Sequence, residues 1–457
     1  MYAFYDFETT GTSTAFDQPL QFAAVLTDKN FKEIQKVEFR CRLSPHILPD
    51  PYALFITGIK IERLLDKKNL SLYEMSKNLN DLIQTWSPCI WIGYNSIRFD
   101  ELVLRQLFYQ NLQANVYATQ INGNSRLDIL TLMHSAFVYD KCILKWPRKS
   151  NGTYSFKLDE LAPFNGFNEH RAHDALGDVR ATIFLAKLVR ERNPLLWENY
   201  LKCNSKQYIR SLLNLKRPLS LCLRLSSLPP KQFIVYPCGR NKLNQNQIGL
   251  LDLEKLSRYN ELRFNQIYDC IEADPSVLIE LQVNAAPYLS TKMAFDNNNL
   301  PETIFEESHG ELDERVSEYI TRRNQKSSAE YLEWQIYDRF YSSRDTKILE
   351  EIRSLSTDKL KQKINEISDE RLRKLGLRVL LWEAPEALSS KQRKLAFELI
   401  VARWNRKIGE KVPWVTFDKV RAQLEILVSG NLISVAERNQ LASFYKDRLI
   451  ILKKLLC

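Results

Sequence analysis

A chain of 457 residues is too long for one hydrophobic core, and at about 150 residues per domain it should divide into roughly three. Its 44% apolar and 26% charged residues exclude a disordered chain, and no run approaches the ~18 uninterrupted apolar residues of a membrane span. The net charge of +10 is unevenly spread, with an excess of basic over acidic residues of +2 over 1–193, zero over 194–325 and +8 over 326–457. A basic third segment suits a polyanion held there and processed elsewhere; a solvated, lysine-rich helical surface explains it equally well. The N-terminus has no basic stretch ahead of an apolar one, so the cytoplasm is the expected compartment. The eight cysteines form no C-x-x-C pair, which points to small buried hydrophobes rather than to disulfides or structural zinc.

Tyr2–Phe7 is short and aromatic-rich, ends at Thr9-Thr10-Gly11 and predicts a buried strand. Strand alternation puts Asp6 and Glu8 on one face, where paired hard oxygens suit Mg²⁺ or Mn²⁺, although a D-x-E pair also fits a solvated turn. Leu20–Thr27 and Glu33–Leu43 complete a three-stranded meander. Leu54–Ile59 is an apolar turn, Ser71 caps a helix running to Trp86, and Cys89–Tyr94 is another buried strand. Asn95-Ser96 opens a helix with Asp100 in its first turn, where an acid also complements the helix dipole. Helices are predicted over Arg126–Val138, Leu158–Phe164 and Asp174–Arg192, the last stopped by Asn193-Pro194.

Strands followed by alternating helices and a strand describe an α/β domain with a mixed sheet over 1–193. Residues 194–325 read as β-rich with helical insertions, their strand-like runs broken at Pro218, Pro229-Pro230, Pro237 and Gly239. Residues 326–457 read as a helical bundle, with helices near 345–354, 358–382, 389–406, 417–429 and 433–455.

Hydrolysis of a phosphodiester at neutral pH needs an activated water and neutralised charge on the attacking and leaving oxygens, which two metals about 3.5–4 Å apart supply. Such a pair needs carboxylates converging from separate elements, and a neutral imidazole to take the proton. Asp6, Glu8, Asp100, Asp178 and His173 fill those roles. His173 and Asp178 lie about 140° apart on helical geometry, so they converge only if His173 belongs to the preceding loop.

Read together, D-F-E-T-T-G at 6–11, N-S-I-R-F-D at 95–100 and H-D-A-L-G-D at 173–178 resemble the His-containing branch of the DEDD exonuclease superfamily. The likeness is closest to the bacterial exodeoxyribonuclease I family, through Asp17–Ala24, Ile56–Ile59, Gly93–Asn95, Asn124–Asp128 and Ser155–Leu158, with Gln335–Tyr341 as a distant echo. The resemblance implies a ribonuclease H-like exonuclease domain over 1–193, an SH3-like β-rich domain over 194–325 and an α-helical domain over 326–457. It also implies stepwise 3′-to-5′ cleavage of single-stranded DNA to nucleoside 5′-monophosphates, in DNA repair and recombination, by a monomer. Asp6, Glu8, Asp100 and Asp178 match the positions that hold two Mg²⁺ (Mn²⁺ being possible), and His173 matches the general base. Glu8 counts among the substrate-binding positions too. Lys157 stands where the family usually has an Arg that contacts substrate, keeping the charge but losing the bidentate fork. Leu54, Phe55 and Thr57 are candidates to stack on or wedge terminal bases, with core packing as the alternative for Phe55. The acidic tail of single-stranded-DNA-binding protein is an implied partner.

Other residues carry less. Asp128 is either a supporting acid or the cap of its own helix, and His170 is a solvated neighbour of His173. His134 is expected on a helix surface, and His46 and His309 in loops. Arg403–Lys407 suits a phosphate track, an acidic peptide or a solvated helix end. The rival functions are a 3′-exoribonuclease or proofreading-type exonuclease on the same chemistry, and a non-catalytic single-strand-binding protein on a nuclease scaffold.

Overall fold

The computed structural model describes residues 1–168, 174–225, 228–258, 266–291, 310–325 and 329–456. The first segment is built on a five-stranded sheet in the order β3-β2-β1-β4-β5. Its strands are β1 (Tyr2–Thr9), β2 (Pro19–Thr27), β3 (Glu33–Arg40), β4 (Ile90–Gly93) and β5 (Ser125–Asp128). The first three form the predicted antiparallel meander, and β4 and β5 add in parallel beside β1.

Alternation along β1 decides which side of the sheet each residue serves. Ala3, Tyr5 and Phe7 enter a core shared with α3 (Leu72–Trp86) and α4 (Asp100–Gln110). Tyr2 and Phe4 enter a second core, shared with α5 (Ile129–Tyr139) and α7 (Ala175–Arg192). Asp6 and Glu8 continue the Tyr2–Phe4 face and so point to the side that α7 covers. Between these elements run α1 (Pro51–Thr57), α2 (Ile61–Leu65) and α6 (Leu158–Phe164).

Two elements of this segment differ from expectation. The expected turn over Leu54–Ile59 is instead the second half of α1, which ends at Thr57; the Asp50 carboxylate starts the helix by accepting from Tyr52 and Ala53 N–H, and Gly58 closes it at φ 61°. Arg126–Val138 is not one helix. Its first residues pair with Trp91–Gly93 as β5, and Asp128 then caps α5 by accepting from Leu130 N–H. A four-residue buried strand running straight into an apolar helix leaves no change of period to read.

After α8 (Pro194–Lys202) and α9 (Lys206–Leu213) comes a second five-stranded sheet, all antiparallel, in the order β10-β6-β7-β8-β9. Its strands are β6 (Leu219–Leu223), β7 (Lys231–Arg240), β8 (Gln247–Asp252), β9 (Leu278–Gln282) and β10 (Leu289–Ser290). Helices α10 (Leu253–Leu256), α11 (Ile267–Ala273) and α12 (Gly310–Arg323) accompany it. Pro237 does not break β7. Pro237 stays in register with Leu250, and the register shifts between it and Arg240.

The third segment is helical: α13 (Ser343–Ile352), α14 (Thr357–Glu366), α15 (Glu370–Glu383), α16 (Ser390–Trp404), α17 (Phe417–Ser429) and α18 (Val435–Leu456). The expected single helix over 358–382 is two, because Asp345 captures the N–H groups of Ser368 and Asp369, and Asp369 caps the second by accepting from Arg371 N–H. Leu332–Tyr337 is a 3₁₀ helix packed along α4. The core beneath Tyr5 and Phe7 runs on into these helices, whereas the core beneath Phe4 runs into the second sheet, so the first segment is cemented to both others. Among the described residues no helix is long and apolar enough to cross a membrane.

Candidate active site

The site lies where β1 outruns its parallel neighbour. β4 pairs with β1 only as far as Phe4 and leaves at Gly93, where a Cβ would meet Ser96 and Tyr5 O. The chain turns there through Asn95 at φ 59°, and the Asp128 carboxylate orders that turn by accepting from Asn95 N–H (2.8 Å) and Ile97 N–H (3.2 Å). This delivers Asp100 to the uncovered edge of β1, where its Oδ1 accepts from Phe7 N–H at 3.1 Å. Asp128, left open as cap or supporting acid, is both.

From the opposite direction α7 brings Asp178. Asp174 opens that helix without a capping bond and instead accepts from Gln21 Nε2 at 3.0 Å, with Arg40 at 3.8 Å, so β2 and β3 fix where α7 begins. Carboxylate oxygens of Asp6, Glu8 and Asp178 all fall within 4.8 Å of one another. At an effective dielectric near 20, two unit charges that far apart repel by about 3 kcal/mol.

The acids respond as crowded anions do. Burial, then the charges of Asp100, Asp178 and Glu8, hold the Asp6 carboxyl well above the usual range. Burial, then Asp178 and Asp100, push Glu8 up to about 8. Asp100 is also pushed up to about 8, chiefly by burial and against the Phe7 N–H bond that favours its charged form. Burial raises Asp128 to about 6, with its three backbone donors opposing. A set of clustered hard oxygen donors, unstable as bare anions, fits a divalent cation; Asp6, Glu8 and Asp178 are close enough to share one, and Asp100 stands beside that cluster on Phe7 N–H.

Of the remaining predicted residues, His173, His170 and His309 lie outside the described residues. Lys157 precedes α6 with an exposed ammonium 3.7 Å from Glu160. In α1, Leu54 turns into the core at 5% exposure, Phe55 and Thr57 are half-buried, and Thr57 Oγ1 donates back to Ala53 O. His134 is not a surface residue: it packs edge-on against Phe156, and burial pulls its imidazole down to about 3. Arg403–Lys407 divides: Asn405, Arg406 and Lys407 are exposed at a helix end, as one alternative had it, whereas Arg403 and Trp404 are turned inward. Arg403 pairs with Glu333 at 3.1 Å beneath Trp414, and Trp404 is buried. Sequence reasoning missed Gln21 as the tether of α7; its place opposite Glu8 on β2 is the signal that could have found it.

A family model described as "Exonuclease" matches residues 3–186, which contain every acid of the site, and one described as "Exonuclease I C-terminal domain" matches 330–447. Along most of its length the chain is similar to the exodeoxyribonucleases I. The exodeoxyribonuclease I of Buchnera aphidicola subsp. Schizaphis graminum is 27% identical over 402 residues, covering 82% of this chain and 82% of the relative. That of Escherichia coli is 36% identical over 215 residues, covering 47% and 45%. Crystallised E. coli Exonuclease I in complex with a dT13 oligonucleotide superposes with a TM-score of 0.80 at 24% identity, over 98% of this chain and 99% of that one, which shows a shared fold across all three segments.

Proposed function

We propose that this chain is a 3′-to-5′ exonuclease that shortens single-stranded DNA to nucleoside 5′-monophosphates and works in DNA repair and recombination. The observation that carries the reading is the convergence of Asp6, Glu8, Asp100 and Asp178 from three separate elements on the uncovered end of β1. The relatives named exodeoxyribonuclease I, and the family member crystallised with an oligonucleotide, support the choice of DNA. Divalent metal, two Mg²⁺ in this proposal, would supply an activated water and offset charge on the attacking and leaving oxygens. Asp6, Glu8, Asp100 and Asp178 hold it, and His173 takes the proton from the attacking water.

Lys157, Phe55 and Thr57 present the exposed or half-buried groups that contact the strand, with Leu54 setting the position of α1 from beneath. Segments 1–193, 194–325 and 326–457 act as exonuclease, SH3-like and helical units of a cytoplasmic monomer. The +8 excess of the last is consistent with docking of an acidic protein tail such as that of single-stranded-DNA-binding protein.

The direct test offers 5′-labelled single-stranded DNA, duplex DNA and RNA to the purified chain, with Mg²⁺ or with chelator. A Mg²⁺-dependent ladder shortening from the 3′ end on single-stranded DNA alone is expected. Shortening of RNA in its place would make the chain an exoribonuclease, and no shortening of any substrate would leave only a binding protein.

A further inference from the structure

Ser44–Asp50 leads into α1 without helix or strand of its own; side chains of α16 and α18 bond to its carbonyl groups, and side chains of α17 reach the Asp50 carboxylate. Arg448 donates to Ser44 O and, at 3.3 Å, to Ile47 O. The Trp404 indole donates to His46 O at 3.1 Å, and the Tyr445 hydroxyl to Pro49 O at 2.8 Å. Asp50 Oδ2 accepts from Gln423 Nε2 at 2.9 Å and faces Lys419 Nζ at 3.6 Å. The N–H groups at the two ends of the segment point the other way. Ser44 N–H donates to Gln18 Oε1 at 2.8 Å, and Asp50 N–H donates to Thr10 O at 2.7 Å, two residues beyond Glu8. With Oδ1 of Asp50 capping α1, one residue ties the last helices, α1 and the end of the catalytic strand together.

Arg448 is the unusual member. It is 1% exposed and forms no ion pair among the described residues. Burial brings its guanidinium down to about 10, so it stays charged at neutral pH. An interior cation without a carboxylate is a costly placement, and a well-packed apolar residue would serve mere packing better. What the guanidinium does that an apolar side chain cannot is hold two carbonyls of one irregular segment.

We propose that Ser44–Asp50 is a strap by which the C-terminal helices set α1 and the loop after Glu8 against the catalytic strand, with Arg448 as its principal positioning residue. The inference rests on the reading of α1 and the β1 end as the DNA-gripping site. It gives the helical segment a part in substrate binding that needs no contact of its own with the strand.

The test uses the full chain carrying Arg448→Met, Arg448→Lys or Gln423→Leu, and reads amide hydrogen exchange over 44–57 together with kinetics on single-stranded DNA. Arg448→Met should speed exchange at Asp50 and Leu54 about tenfold while the α5 and α7 amides keep their protection. KM should rise about fivefold with kcat within about twofold, the signature of lost binding rather than lost chemistry. Arg448→Lys should recover part of both effects, and Gln423→Leu should move both in the same direction by less. Unchanged exchange at Asp50 and Leu54 in Arg448→Met would overturn the strap, as would faster exchange spread evenly over the chain. Should Arg448→Met not fold, Gln423→Leu decides by the same local criterion. A wild-type chain that leaves DNA intact would remove the catalytic reading, while the exchange data would still decide the strap.

Discussion

Asp100 and Glu101 are neighbours in the first turn of α4, both almost fully buried, in opposite electrostatic surroundings. Glu101 is answered on every side: it accepts from the Tyr5 hydroxyl and Thr119 Oγ1 at 3.0 Å each and pairs with Arg126 at 2.9 Å, with Arg105 at 3.7 Å. Asp100 has backbone N–H donors, from Phe7 and its own residue, and adds its charge to the crowding at Asp6 and Glu8. Glu333, held by Arg378 and Arg403, repeats the Glu101 pattern in the third segment. A buried acid that brings its own cation is holding the fold together. Acids whose carboxylate oxygens crowd within 4.8 Å of one another, as those of Asp6, Glu8 and Asp178 do, suit a cation from solution, and that contrast distinguishes the candidate site from the scaffold.

Neutralising one acid in each place should give opposite results. Asp6→Asn should lower the cleavage rate on the order of 10⁴-fold, since charge stabilisation at the reacting oxygens is lost. The same change should stabilise the metal-free chain against urea by about 1 kcal/mol at pH 8, because it removes a repelling partner. Arg126→Met should cost about 3 kcal/mol of unfolding free energy by leaving the buried Glu101 carboxylate only the more distant Arg105 as a cation. Destabilisation by Asp6→Asn, or no effect from Arg126→Met, would erase the distinction.

The contrast also sets a pH dependence. Glu8 and Asp100 titrate near 8 in the folded chain but near ordinary carboxylate values when unfolded, so between about pH 4 and 8 the native state binds more protons. The stability of the metal-free protein should therefore fall as pH rises through that window, and saturating Mg²⁺ should flatten the fall. A urea midpoint that rises from pH 5 to 8 without metal would contradict it. The smallest effect expected is at Lys157. Its exposed ammonium holds no buried partner, so Lys157→Arg should lower KM about two- to threefold and leave kcat alone.

Much of this was legible in the chain because strand alternation is strict. Once Tyr2–Phe7 was a strand, Asp6 and Glu8 had to share a face, and the strand's aromatic residues had to fill the cores on either side. The capping box of Ser71 and Glu74 and the stop at Asn193-Pro194 are local chemistry, and the helices they bound came out as read. What stayed hidden depends on partners distant in sequence. The bond from Phe7 N–H to Asp100 spans 93 positions, and that from Gln21 to Asp174 spans 153. Arg403 looked like a surface cation because Glu333, which neutralises it, stands 70 residues away. Helix α1 was missed because seven residues carry too few turns for a period, although Asp50-Pro51 and Gly58 at its ends are ordinary start and stop signals.

The most direct test of the site is calorimetric titration of Mg²⁺ into the metal-free chain at pH 7, in two buffers of different ionisation enthalpy. Cation binding must displace the protons that crowding holds on the carboxylates. The expected result is Mg²⁺ binding with net proton release in the wild type, both weakened in Asp6→Asn and unchanged in Lys157→Arg. Binding without proton release, or binding that survives Asp6→Asn intact, would contradict the assignment of the β1 end as the metal site.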